Sequence, residues 1–265
     1  MIAEIYRVYL NISTAFDVLA TMANIFITGS ADGLGLLAAE ELIGKGHRVV
    51  LHARNAKRAA ETKEKVPAAE TVLTGDLSNI EETKKLAAAV NNLGPFDAVI
   101  HNAGVYQVPA KLIFAVNTLA PYILTCLIQK PKRLIYLSSG MHRQGHSNFE
   151  SFSTDTSRIS YSDSKLHVLM LSMAVARKWS NVYSNTIDPG WVPTKMGGHG
   201  APDDLKKGYE TQVWLATSND AGALVSGRYF HHKKESLYNV AANDVMLQEK
   251  FLQRCKEITG VTFPD

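Results

Sequence analysis

The chain is poor in cysteine, in clustered charge and in long apolar runs. Cys126 and Cys255 are the two cysteines in 265 residues. They lie far apart and match no metal-ligand spacing, so neither a disulfide framework nor a metal site is expected. A reducing compartment suits such a chain, and the cytoplasm is the expected location. Net charge is +3, from 28 basic and 25 acidic residues. The basic runs are pairs such as Lys84–Lys85 and Lys233–Lys234. A nucleic-acid binder would carry a clustered basic face, so no nucleic-acid partner is expected. No apolar run is long enough to predict a membrane span, which needs about 18 residues or more. With 46% hydrophobic and 20% charged residues the composition is that of an ordinary globular protein. That excludes disordered, collagen-like and coiled-coil chains.

The first 21 residues stand apart. Ile2, Ile5, Tyr9, Ile12, Phe16 and Leu19 recur at helical spacing, which predicts an amphipathic helix of roughly five turns. Arg7 and Asp17 interrupt it, so it does not read as a secretory signal. It is either an extra helix packed on the body or on a partner, or an appendage to a fold that begins at Met22. We therefore divide the chain into an N-terminal amphipathic extension, 1–21, and one domain, 22–265.

From Asn24 onward short apolar runs alternate with helical patterns. Strands are expected at 24–27, 47–51, 71–74, 96–100, 134–137 and 181–187. Helices are expected at 34–45, 56–65, from Ser78 to about Asn92, and at 161–179. Ser78 and Glu81 are spaced as a capping box. The runs at 96–100 and 134–137 are continuously apolar, as in strands buried on both faces. This rhythm predicts an α/β fold: a single-domain, three-layered, doubly wound parallel sheet of the Rossmann-like kind.

The first strand runs into Thr28-Gly29-Ser30-Ala31-Asp32-Gly33-Leu34-Gly35. Glycines at such a turn let the backbone bend tightly and let a pyrophosphate reach the helix N-terminus. Their spacing differs from the commoner G-x-G-x-x-G. Further on, Tyr161 and Lys165 are four apart on a predicted helix, about 6 Å along its axis and on one face. Alone they read more readily as an ordinary surface pair. An ammonium beside a phenol would lower its pKa and make it a usable proton shuttle. Ser138 and Ser139 end an apolar strand, where a hydroxyl can steady a developing oxyanion.

Taken together these strings resemble the short-chain dehydrogenase/reductase family, in its single-domain branch, from residue 24 to about 263. The family's T-G-x-x-x-G-x-G matches Thr28 to Gly35, which places Gly29, Ser30, Gly33, Leu34 and Gly35 at the cofactor. Its D-L is Asp76-Leu77, with the Asp at the adenine. Its N-A-G is Asn102-Ala103-Gly104, supporting the sheet and lining the cofactor cleft. Its mid-helix Asn is Asn117, and its Y-x-x-x-K is Tyr161 to Lys165. Its P-G-x-x-x-T is Pro189, Gly190, Val192 and Thr194 with their neighbours. The resemblance implies that Asn117, Ser139, Tyr161 and Lys165 are catalytic. Tyr161 would be the acid/base, Ser139 the carbonyl-oxygen donor, and Lys165 a tuner of Tyr161 that also holds the nicotinamide ribose. Ser138 would be a structural strand-end serine.

The 22-residue step from Ser139 to Tyr161 is longer than is common in the family and is similar to the retinol-dehydrogenase-like subgroup. Phe149 and Phe152 within it either touch an apolar substrate or anchor the loop. His142 is expected to be solvated, with pocket lining as the alternative. Gly197, Gly198 and Gly200 suggest a lid. Only 12 residues separate Gly104 from Asn117, fewer than in relatives, which questions the helix bearing Asn117.

The expected function is NADP(H)-dependent interconversion of a ketone or aldehyde with an alcohol. The alternative is a non-catalytic NADP(H)-binding sensor or scaffold of the same fold. The partner is a small-molecule carbonyl or alcohol, and the resemblance allows a homodimer. NADP is preferred over NAD because the second strand ends in Ala53-Arg54, where an acid would select NAD. Arg54 can pair with a phosphate, and Lys57 and Arg58 add positive potential. Asp32 would either weaken that phosphate site or cap the first helix.

Overall fold

The computed structural model describes residues 22–147 and 149–264; the expected helix over 1–21 lies outside them. Eight strands form one sheet. They are β1 (Asn24–Ile27), β2 (Arg48–Ala53), β3 (Thr71–Thr74), β4 (Ala98–His101), β5 (Arg133–Leu137), β6 (Tyr183–Asp188), β7 (Arg228–His231) and β8 (Lys234–Glu235). Their order is β3-β2-β1-β4-β5-β6-β7-β8, parallel except for the last pair. The chain winds outward from β1 in one direction, then returns to β4 and winds in the other. The switch point between β1 and β4 leaves a crevice at the strands' carboxyl ends, where α/β sheets bind ligands.

The helices are α1 (Gly33–Gly44), α2 (Ala56–Lys65), α3 (Ile80–Asn91), α4 (Ala110–Leu127), α5 (Tyr161–Lys178), α6 (Leu205–Thr217) and α7 (Val245–Thr259). Two separate apolar clusters lie on the two faces of the sheet. Ala38, Leu42, Val213 and Ala216 of α1 and α6 pack on one face. Leu86, Tyr122, Leu169 and Phe251 of α3, α4, α5 and α7 pack on the other. This is the expected three-layer architecture. By length and composition α4 could cross a membrane, but 72% of it is buried in the protein.

Two local expectations are corrected. The α3 cap is Asn79, whose side chain accepts from Glu81 N and Glu82 N; Ser78 instead donates to Asp76 at 2.7 Å. The fourth strand begins at Ala98 rather than Phe96, and Asp97 before it accepts the Asn24 amide on its side chain. The sequence pattern also gave no sign of the β7–β8 edge. There His232 and Lys233 take φ of 49° and 62°, the left-handed pair of a two-residue hairpin.

Candidate active site

The floor of the site is the turn from β1 to α1. Gly29 has φ +63°, and a Cβ there would lie 2.7 Å from Ala103 Cα. At Gly35 a Cβ would meet Asn102 Nδ2 at 2.3 Å. Glycine is therefore required by close approach at both positions. Asn102 uses its amide to donate to Thr28 O and Gly29 O, both at 3.0 Å. The Ala103 amide donates to Thr28 Oγ1 at 3.0 Å. On the other side the Gly29 amide donates to His52 Nδ1, and His52 Nε2 reaches Gly75 O at 2.9 Å. That fixes the ring as neutral with its proton on Nε2, and burial holds its pKa below the usual value.

Above this floor lies a cleft of about 610 Å³. Gly29, Gly33, Leu34, Asp76, Leu77 and Asn102 line it on the nucleotide side, with Arg54 at the rim. Ala103, Gly104, Tyr161, Lys165, Pro189 and Thr194 line it further along. Asp32 precedes α1 without a side-chain cap bond, so the first amides of that helix face the cleft with anion-binding capacity. The glycine cradle and these amides fit a dinucleotide.

Several sequence-chosen residues lie elsewhere. Ser30 is fully buried, donating to Ile27 O and accepting from His52 N, both at 2.9 Å. Gly35 serves packing on Asn102. Val192 is buried, and a Cβ at Gly208 of α6 would lie 2.8 Å from its Cγ1. Gly190 has its amide on Asp188 Oδ1. These four shape the cleft from behind.

The rim near β2 carries opposed charges. Arg54 pairs with Asp76 at 2.9 Å through Nε and a terminal nitrogen. Arg58 and Lys195 both hold Asp32 Oδ2, at 2.7 and 3.3 Å. Asp32 is thus an ion-pair partner and not a helix cap. Burial opposes ionisation of Asp32 and Asp76. Their cationic partners, with Ser78 in the case of Asp76, outweigh burial and hold both carboxyls below their usual range.

α5 opens directly on Tyr161. Ser160 and Asp163 form a reciprocal capping box, and Asp163 also accepts the His146 amide at 2.7 Å, tying down the long preceding loop. Lys165 follows one turn on. It is buried, and its Nζ donates to Leu137 O at 2.8 Å while sitting 5.5 Å from the Tyr161 ring centroid.

Burial pushes Tyr161 up to about 12; a hydrogen bond with Ser139 works against this, while Asp188 and Tyr106 add to it. Burial pulls Lys165 down to about 8, opposed by Asp188. The expected lowering of Tyr161 by Lys165 is not what the protein without cofactor shows: burial is the largest influence on Tyr161, and the lysine is directed at a backbone carbonyl. At neutral pH Tyr161 is protonated and suited to donate.

The two serines point to different tasks. Ser138 is buried and donates to Lys165 O at 2.8 Å. Ser139 is the one whose hydroxyl works against the rise in the Tyr161 pKa. His142 overturns both expectations for it. It is fully buried, donates from Nδ1 to Ser139 O at 2.7 Å and accepts the Asn239 amide at Nε2. It therefore positions the serine. Phe149 and Phe152 are buried with His167 and Phe251, so they anchor the loop. Trp191 is 59% exposed and donates to Gly197 O, folding the 191–197 turn.

The short segment before Asn117 does not displace it. Residues 115–119 form a π turn within α4. Pro121 has no N–H to return to the Asn117 carbonyl four residues earlier, which favours the wider ladder. Asn117 Oδ1 accepts the Val105 amide at 2.8 Å, and its Nδ2 donates to Val105 O at 3.0 Å and to Ser164 Oγ at 3.1 Å.

Three residues escaped the sequence reading: His52, Tyr106 and Asp188. The Asp188 side chain is 14% exposed, and a Cβ at Gly140 would lie 3.1 Å from its Oδ2. An acid directly before Pro189-Gly190 was the available signal for it.

The profile of the short chain dehydrogenase family matches residues 23–130. An uncharacterized oxidoreductase of Emericella nidulans is 48% identical, over 92% of this chain and 99% of that one. Short-chain dehydrogenase chyC of Penicillium rubens is 42% identical over 92% of this chain and all of its own. Human retinol dehydrogenase 14 is 28% identical over 89% and 86% of the two chains. Among solved structures, an uncharacterized Mycobacterium paratuberculosis protein superposes with a TM-score of 0.77 at 22% identity, covering 92% and 95%. Pseudomonas aeruginosa RhlG, solved as an NADP active-site complex, gives 0.65 at 21% identity, covering 78% and 93%.

Proposed function

The chain belongs to the short-chain dehydrogenase family, and on that premise we propose that it is an NADP(H)-dependent oxidoreductase interconverting a ketone or aldehyde with its alcohol. The observation that carries this reading is the pairing of Tyr161 and Lys165, one turn apart on α5, in the lining of a cleft floored by the N-terminus of α1, with Ser139 two residues past the end of β5. The α1 amides and Gly29 would hold the pyrophosphate, Lys165 the nicotinamide ribose, and Arg54 the 2′-phosphate. Bound NADPH supplies the hydride. Tyr161 Oη gives its proton to the carbonyl oxygen, while Ser139 donates a hydrogen bond to that oxygen as charge builds on it. In the reverse direction Tyr161 takes the alcohol proton. Asn117 fixes the strand-end segment that walls the site. Solved relatives of the fold bound to NADP support the choice of cofactor.

The test is NADPH oxidation with a panel of small ketones and aldehydes. Turnover should fall by about 100-fold or more in Tyr161→Phe, the usual scale for removing a general acid, while NADPH binding persists. Lys165→Ala should lower both turnover and NADPH affinity. No turnover of any carbonyl, with NADPH bound, would favour a sensor instead.

A further inference from the structure

Tyr106 occupies an over-determined position against the reacting tyrosine. The residue before it, Val105, has its amide and its carbonyl both held by the Asn117 side chain. The residue after it, Gln107, takes φ 55°. A non-glycine residue in the left-handed region is uncommon, and such outliers concentrate where a ligand site fixes them. Between these two constraints the Tyr106 ring meets the Tyr161 ring edge-on, with centroids 4.7 Å apart and planes at 60°. It remains 37% exposed, so one side of it is covered by Tyr161 and another is open.

Tyr161 Oη marks where a carbonyl oxygen must arrive, so the group attached to the carbonyl carbon lies near Tyr106. The neighbouring lining is apolar, from Val105, Leu112 and Val116. Met141, two residues past Ser139, adds exposed apolar surface. A ring edge or face favours a planar π system over an aliphatic one of equal size.

Building on the carbonyl-reducing reading of this site, we propose that Tyr106 is a specificity-determining residue and that the substrate class is a carbonyl compound with an aromatic or conjugated planar group attached directly to the carbonyl carbon. Conjugation makes such a carbonyl less electrophilic, so a preference for it has to arise from binding.

The test compares acetophenone with cyclohexyl methyl ketone, which share a skeleton and differ in planarity. With NADPH, kcat/KM should favour acetophenone. Tyr106→Leu, which keeps apolar bulk, should reduce that preference by roughly 2- to 10-fold. Tyr106→Phe, which keeps the plane, should retain it. NADPH binding by fluorescence confirms that each variant is folded. Equal turnover of the two ketones, or a preference unchanged in Tyr106→Leu, overturns the proposal. If neither ketone is turned over, the carbonyl-reducing reading is judged separately on the wider panel of ketones and aldehydes, and the aromatic preference is read from binding. Saturation-transfer NMR of the two ketones on the NADPH-loaded protein then decides. Selective saturation of acetophenone that disappears in Tyr106→Leu supports the aromatic site, and equal saturation of both ketones refutes it.

Discussion

The two ends of the cleft are built by different means. At the nucleotide end the backbone is the recognition surface. The turn after β1 is fastened by Asn102, Thr28 and His52, and the helix amides follow from it. At the substrate end recognition falls to side chains on connecting segments. Met196 in the cleft lining and Tyr106 against Tyr161 are both more than a third exposed. Backbone recognition tolerates almost no change of residue, because a Cβ or a missing amide alters geometry outright. Side-chain recognition on loops can be rebuilt without disturbing the sheet.

A methyl group at the nucleotide end gives the sharpest challenge to this contrast. Gly35→Ala drives a Cβ into Asn102 and breaks its bonds to the β1 turn. Losing them should cost about 3 kcal/mol, or roughly 100-fold in NADPH affinity, together with a lower Tm in calorimetry. Wild-type affinity in this variant would mean that the cradle is not preorganised.

A smaller effect is expected at the rim, where side chains already act at the nucleotide end. Arg54→Ala should weaken NADPH about 10-fold while sparing NADH. Fluorescence titration with both cofactors distinguishes this from a general loss. Equal weakening would leave Arg54 only its ion pair with Asp76.

The smallest effect lies where the two ends meet. Asp188 raises the proton affinity of Tyr161. Replacing that charge in Asp188→Asn makes the phenolate less costly, so the pKa of Tyr161 falls. The pH profile of alcohol oxidation, which needs Tyr161 as base, should shift to lower pH by up to about one unit. A shift upward, or none, would show that the carboxylate serves only the Gly190 turn.

Much of the nucleotide end is legible in the sequence. Thr28 to Gly35, Asn102 and the Tyr161–Lys165 pair are local strings whose chemistry follows from one turn or one helix face. Ser138 and Ser139 are separable in the sequence only through the family resemblance, which gives the second serine the role at the carbonyl oxygen. Ser30 and Val192 belong to cofactor-binding strings and yet pack behind the cleft. Side-chain direction there depends on which neighbouring element covers them. His142 reads as a loop residue and is buried, because the segment around Asn239 closes over it.

By itself the sequence determined most of the order of strands and helices from Asn24 to Ile187, the parallel sheet and the position of the glycine turn. Each rests on periodicity and backbone preference within a few residues. Tertiary structure alone decided the company kept by Tyr161: Tyr106 from 55 positions before it and Asp188 from 27 after it. It also settled the neutral state of His52 and the anchoring of Asn117 despite a shortened approach. Those outcomes depend on strand register and on how connecting segments fold over the sheet edge, and no local pattern encodes distances between elements so far apart in the chain.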